Sequence, residues 1–278
     1  MKRAVLVLLL CASSLYAGDG RLLATGGATQ LEGCAGGGIV PWAVLSGYAT
    51  EDQNGGTAFL TYVATGDYSL WSAGGAFTFH NRVEISAAEQ RLHLGTLAEA
   101  LNLPGAELRQ QVLGVKVKLL GDVVYTKMPQ VSAGVQYKRN LDFDIPKLVG
   151  AKSSSGVDVY VAATKAFLAG AAGRHLVLNG TLRATKANQT GLLGFGDDYD
   201  IVPEVSAAVL LNNNVAIGAE YRVKPDNLAF SKEDNWSDFF IGYFPNKNVS
   251  FVIAVAQLGT IATLPHQSGL YLSVQGSF

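Results

Sequence analysis

The last ten residues constrain the fold more than any other segment. From Gly269 to Phe278, Leu270, Leu272, Val274, Gly276 and Phe278 fall on one face of an extended strand, while Tyr271, Ser273, Gln275 and Ser277 fall on the other. Successive side chains of a strand point to opposite faces, so this segment has one wholly apolar face and one polar face. A sheet with hydrocarbon on one side and water or protein on the other accommodates such a strand without loss.

A strand of this type, ending on Phe278, is expected to close a bacterial outer-membrane β-barrel. Tyr271 and Phe278 are then the residues expected to be read by the barrel-assembly machinery during biogenesis. The other end of the sequence agrees. Lys2 and Arg3 form a positive stretch, Ala4 to Ala12 is a short apolar run, and Ser13 to Ala17 leads into Gly18. Residues 1–17 are therefore expected to be a secretory signal peptide, and residues 18–278 the outer-membrane β-barrel.

Elsewhere no run approaches the roughly 18 consecutive apolar residues of a spanning helix. Yet 49% of residues are hydrophobic and only 15% charged, against about 25% charged in a typical soluble domain. Alternating lipid-facing strands account for both. Loss of Lys2 and Arg3 lowers the basic count from 21 to 19 against 22 acidic residues, for a net charge of −3. That balance argues against a nucleic-acid partner. Cys34 is the one cysteine beyond the signal, so neither an internal disulfide nor a cysteine zinc site is expected.

Alternation and turn residues predict strands at 38–50, 56–65, 68–79, 82–91, 109–121, 129–138, 157–167, 175–186, 200–211, 214–223, 235–244, 248–258 and 269–278. Most have about the 9–11 residues that cross a bilayer at a tilt. Short links such as Pro245-Asn246-Lys247-Asn248 alternate with long ones such as Leu92 to Leu108, as periplasmic turns alternate with outer loops. Leu97 to Leu103 is compatible with a turn or two of helix in a loop. An even strand number requires one strand beyond these thirteen, and Arg21 to Glu32 is the best candidate. The expected fold is an all-β, transmembrane, antiparallel up-and-down β-barrel of about 14 strands. The alternative is 12 strands with an N-terminal plug segment. Aromatic girdles are expected at the periplasmic ends (Tyr48, Phe79, Tyr125, Phe167, Tyr243, Phe278) and at the outer ends (Tyr62, Tyr68, Tyr137, Tyr221, Trp236, Tyr271).

A lipid-facing Lys or Arg at the midplane costs about 2–4 kcal/mol, so the polar face of each strand must turn inward. This assigns Glu84, Lys116, Lys118, Lys138, Asp158, Arg183, Glu204, Glu220 and Arg222 to the lumen. Mixed sign leaves two readings: charges that pair across strands and hold a closed interior, or charges that line a water-filled path. Either argues against a strong ion selector. Val252, Ala254 and Ala256, with Phe240 and Phe244, form an inward patch unusually apolar for a lumen, best explained by packing against a plug. The apolar stretch Leu192, Leu193 and Phe195 in the link 187–199 is read as a lid over the barrel mouth or as a constriction.

Catalytic and metal constellations are not expected. His80, His93, His175 and His266 lie at strand ends without ligand spacing, and none sits mid-strand beside a serine. Gly194-Phe195-Gly196 does not open a helix after a strand, so it carries no phosphate-binding mechanism. No enzyme activity, cofactor or metal is expected.

Four blocks carry a family resemblance: Gly20-Arg-Leu-Leu-Ala-Thr-Gly-Gly27, Gly38-Ile-Val-Pro-Trp-Ala43, Asn179-Gly-Thr-Leu-Arg-Ala-Thr-Lys186 running into Gly191-Leu-Leu-Gly-Phe-Gly196, and Tyr221-Arg-Val-Lys-Pro-Asp-Asn-Leu228. Together the chain resembles an uncharacterised proteobacterial outer-membrane β-barrel protein family, a domain of unknown function. The resemblance spans nearly the whole mature chain. It implies a barrel in the bacterial outer membrane and assigns no substrate or site residue. The expected function is a passive channel for small solutes, with outer-membrane lipid as its surroundings. The alternatives are a plugged structural or interaction barrel whose outer loops bind a partner, and uptake of small apolar compounds.

Overall fold

The structure, a computed structural model, describes residues 20–278 apart from 101, 229 and 231. The expected signal peptide, residues 1–17, lies outside the described residues. Two short N-terminal strands, β1 (Ala28–Thr29) and β2 (Ala35–Gly36), pair with each other and not with the wall. Twelve further strands follow: β3 (Asn54–Thr65), β4 (Ser69–Phe79), β5 (Val83–His93), β6 (Glu107–Leu120), β7 (Gln130–Asn140), β8 (Ser155–Ala171), β9 (Arg174–Ala187), β10 (Phe195–Leu210), β11 (Val215–Arg222), β12 (Trp236–Tyr243), β13 (Val249–Ile261) and β14 (Leu264–Ser277). Each pairs antiparallel with its neighbours in sequence, and β14 returns to β3 through Gly269↔Thr65 to Ser277↔Thr57. Closure leaves the barrel without an edge, so the ladder satisfies wall backbone groups facing hydrocarbon. Phe278, just past β14, exchanges backbone hydrogen bonds with Gly56 at 2.8 and 3.0 Å.

The twelve-strand alternative with an N-terminal plug is the one adopted. The two segments that brought the sequence reading to fourteen, 38–50 and Arg21 to Glu32, are not wall strands. Every residue from Thr29 to Ala49 is buried inside the barrel. The physical reason is visible in the pattern: Val40, Val44 and Leu45 are buried together with Ala43 and Ser46 on either side, so neither face of this segment turns toward lipid.

In the wall the alternation is direct. On β6, Leu113 and Val115 are about half exposed on the outside, while Val112 and Lys116 are buried within. Ile253 and Val255 on β13 likewise face out, and Val252, Ala254 and Ala256 face in. The outer side chains form the apolar band that lies against hydrocarbon.

The girdle assignment needs correction at four positions. Phe79, Tyr125, Phe167, Tyr137, Tyr221 and Tyr243 are exposed on the outer surface, whereas Tyr48, Tyr68, Trp236 and Tyr271 are buried inside. Tyr48 belongs to the plug, Tyr68 is buried in the link just before β4, and Trp236 and Tyr271 stand at inward register positions. Position near a strand end was weighed above strand parity, and parity decides the face.

Connections of up to nine residues close the end where β3 begins and β14 finishes: 80–82, 121–129, 172–173, 211–214 and 244–248. The opposite end carries longer loops at 94–106, with helix α1 (Gly95–Ala100), at 141–154, with helix α2 (Asp144–Leu148), and at 223–235. The first end is periplasmic and the second outer by the usual asymmetry of such barrels.

Candidate functional site

The interior is a contact between the plug and the inner wall. A buried segment of irregular backbone carries donors and acceptors that need partners. The wall strands supply them from inward positions. Ser72 on β4 and Gln90 on β5 donate to the Leu31 carbonyl at 2.6 and 2.8 Å. Gln130 and Ser132 on β7 both donate to the Ala43 carbonyl at 2.6 Å, and the Ala43 N–H donates to Thr164 on β8 at 2.8 Å. Lys116 donates to the Ala35 and Val44 carbonyls, each at 2.8 Å. Glu84 accepts from the backbone N–H groups of Ala35 and Ser46 at 3.2 and 2.8 Å. Glu220 accepts from Gly38 and Ile39 at 2.6 and 2.8 Å, from Ser206 at 2.7 Å and from the Trp42 indole at 3.2 Å.

Lys138, Asp158, Arg183, Glu204 and Arg222 form one network around Glu32 of the plug. Its carboxylate lies 2.5 Å from the Lys138 ammonium, 3.2 Å from Arg222 and 3.6 Å from Arg183. Lys138 also reaches Asp158 at 2.7 Å. Arg183 pairs with Glu204 at 2.6 Å and Asp158 at 3.2 Å, lies over the face of the Tyr160 ring at 5.3 Å and donates to Gln136 at 2.7 Å. Arg222 is 3.5 Å from Glu204. Each of these groups is nearly inaccessible, so none gains much from water. Their stability depends on each charge keeping its opposite partners, and removal of one partner is strongly destabilising.

Of the nine residues assigned to the lumen from sequence, eight stand in these two sets of contacts: Glu84, Lys116, Lys138, Asp158, Arg183, Glu204, Glu220 and Arg222. Lys118 shares their parity but sits two residues from the periplasmic end of β6, half-buried and outside the network. Glu32 and Asp238 were not anticipated. Glu32 lay in a segment counted as a candidate wall strand. Asp238 occupies the inward position on β12 opposite Glu220 in the β11–β12 register, and alternation of Phe239 and Ile241 with Asp238 was the available signal.

The outer mouth is occupied by the link between β9 and β10. Asn188 to Leu193 are buried, and this stretch turns inward through a left-handed backbone at Gln189 (φ 45°) and Thr190 (φ 61°). A β-branched residue in that conformation is held by its surroundings. Lys138 and Gln110 donate to the Thr190 carbonyl at 3.2 and 3.3 Å, and Asn140 donates to that of Leu192 at 2.6 Å. From the loop 223–235, Glu233 accepts from the Gln189 backbone at 2.7 Å, and Lys224 donates to the Gln189 side chain at 2.8 Å. Burial pushes the Glu233 carboxyl up and the Lys224 ammonium down, with their 3.2 Å ion pair opposing both shifts.

The histidines are scattered. His80 is in the turn after β4, His93 ends β5 at 3.6 Å from Glu107, and His175 and His266 lie near the ends of β9 and β14. Among the described residues no three His, Cys, Asp or Glu side chains come together to hold a metal ion.

One glycine is required by the plug–wall fit. A Cβ on Gly37 would stand 2.0 Å from the Glu220 carboxylate oxygen that also takes the Trp42 indole. Gly37→Val is expected to force the carboxylate away from the Gly38 and Ile39 N–H groups, an overpacking worth about 1–3 kcal/mol. The measurement is the rate at which Cys34, also in the plug, reacts with a water-soluble thiol reagent in membranes. A rise of about tenfold, equivalent to about 1.4 kcal/mol, is expected, with heat-modifiable migration of the barrel retained.

No curated protein matches the chain. Among solved structures, the chain is similar to the KdgM porin in complex with disordered oligogalacturonate (9% identity, TM-score 0.54, covering 80% of this chain and 99% of that one). It is also similar to a second structure of the KdgM porin (10% identity, TM-score 0.52, with the same coverage). At such identities the likeness shows a shared fold, that of bacterial outer-membrane porins. The sequence also matches a family model over residues 25–275, nearly the whole barrel and plug together. The chain therefore belongs to the outer-membrane β-barrel family described as "Protein of unknown function (DUF3034)".

Proposed function

We propose that this barrel is an outer-membrane channel for small solutes whose own N-terminal segment holds it closed. The observation that carries the reading is that the twelve-strand ladder closes without the plug, which joins the wall covalently only through the residues before β3. Displacing residues 20–50 therefore breaks side-chain contacts but no wall hydrogen bond between strands. The displaced plug uncovers a polar surface of both signs, Lys116, Lys138, Arg183 and Arg222 beside Glu84, Asp158, Glu204 and Glu220. Such a surface suits water and small polar solutes without strong preference for either ion sign. The porin fold supports this reading.

Cys34 supplies a native reporter. Its thiol is buried at the plug's centre, near Gln30 and Gln136. In planar bilayers the full chain is expected to show infrequent discrete openings. A small charged thiosulfonate added during recording is expected to change the current stepwise, and Cys34→Ala is expected to be unresponsive. Absence of any current across voltage and salt would instead favour a plugged structural or interaction barrel, the reading supported by the complete burial of residues 29–49.

A further inference from the structure

The mouth segment 188–193 and the turn of the plug between β1 and β2 are tied to each other through one carbonyl. Lys138 on β7 donates to the Thr190 carbonyl at 3.2 Å and holds Glu32 of the plug at 2.5 Å. Gln110 on β6 donates to the same carbonyl at 3.3 Å and to Gln90 on β5 at 3.0 Å, and Gln90 donates to the Leu31 carbonyl at 2.8 Å. Two relays therefore lead from Thr190 to consecutive plug residues, Leu31 and Glu32. Leu31, Leu192 and Leu193 also belong to one buried apolar cluster. The other ties of the segment run to Glu233, Lys224, Thr260 and Asn140.

The inward position is costly for the segment itself. The Asn188 side chain is buried with neither amide atom hydrogen-bonded, and the Thr190 hydroxyl is buried without a partner. Such atoms forfeit hydration and receive nothing in return. Gln189 and Thr190 also hold a left-handed backbone, which residues with a side chain resist, β-branched ones most of all. An outward swing hydrates the three atoms and relaxes both residues, so the inward position needs the contacts beneath it. Once the plug leaves, water enters the lumen and competes for Lys138, Gln90 and Gln110, and Leu192 and Leu193 lose the Leu31 part of their cluster. We infer that the plug and the mouth segment are a single gate: the segment stays folded over the outer mouth only while the plug turn is in place, and withdrawal of the plug releases both. The inference rests on the channel reading, in which the plug leaves the lumen. By linkage the coupling is reciprocal, so whatever loosens the segment from outside weakens the hold on the plug by the same factor.

The test places a single thiol at the mouth, Thr190→Cys in a Cys34→Ala background. The change removes no hydrogen bond of the hydroxyl, which makes none. Intact cells carrying the protein are treated with a maleimide on a polymer too large to enter the barrel, so only a segment that has moved outward reacts. Labelling is expected to be slow in the otherwise full chain and at least about tenfold faster in the variant lacking residues 20–50. Gly37→Val gives a second reading with the whole chain present. It acts at Glu220 on β11, away from both relays. It is expected to speed labelling of Thr190→Cys by the factor by which it speeds reaction of Cys34, about tenfold. Heat-modifiable migration establishes that each variant is folded. Labelling no faster in the deletion variant would overturn the inference, as would a Gly37→Val chain in which Cys34 gains reactivity and Thr190→Cys does not. Conductance is recorded separately. Current through a deletion variant whose mouth thiol stays unreactive overturns the coupling alone; a reactive mouth thiol without current overturns the channel reading alone.

Discussion

Deleting residues 20–50 is expected to turn a barrel that conducts rarely into one that conducts persistently. The plug occupies the lumen from Thr29 to Ala49 but contributes no strand to the wall. Its loss removes backbone partners from Ser72, Gln90, Lys116, Gln130, Ser132 and Glu220. These side chains then face an interior that water can fill, so their hydrogen bonds are exchanged for hydration rather than lost. The wall ladder is untouched, and heat-modifiable migration should persist. If the closed state of the full chain outweighs the open one by about 99:1, removal of the plug raises time-averaged conductance by roughly a hundredfold. A folded, membrane-inserted variant lacking both residues 20–50 and the inward-turned mouth segment 188–193 that carries no current would sink the channel reading.

Arg183→Met carries the largest expected loss of stability from a single substitution. The guanidinium is the common partner of Glu204, Asp158 and Glu32, and it also bonds Gln136 and covers the ring of Tyr160. Methionine leaves three buried carboxylates with only Lys138 and Arg222 to share. Breaking a buried ion pair by removal of one partner costs about 3–5 kcal/mol. The denaturant midpoint of the barrel is expected to fall accordingly. Lys118→Met, outside the network, is expected to change it by less than about 0.5 kcal/mol. The double variant Arg183→Met with Glu204→Gln should recover part of the loss, because one uncompensated charge is removed. Equal effects of the Arg183 and Lys118 substitutions would mean that the network contributes nothing beyond ordinary inward burial.

How far the candidate site is legible in sequence depends on which residues are asked about. Arg183 stands between Leu182 and Ala184, and Lys116 between Val115 and Val117. In such strands one charged residue fixes the inward face for all its neighbours, since the period is two and lipid excludes the alternative. Trp236 and Tyr271 were legible in face but were placed on the outside because an aromatic near a strand end fits both a girdle and an interior. Glu32 was not legible as a partner of Lys138, Arg183 and Arg222: those contacts join residues more than a hundred positions apart, and no local pattern encodes them.

Local alternation sets the solvent on each side of the wall. Leu270, Leu272 and Val274 alternate with Tyr271, Ser273 and Gln275, and that alternation is a local property enforced by strand geometry. That the barrel has twelve strands and that residues 29–49 fill it follow from contacts made between distant parts of the chain. Segment 38–50 is apolar enough to serve as a wall strand, and its fate is settled by contacts with side chains from β5, β6, β7, β8 and β11. Those strands present donors and acceptors to the same small volume only after the ladder has closed, which is why the plug and the ion network are properties of the folded barrel and not of any stretch of chain within it.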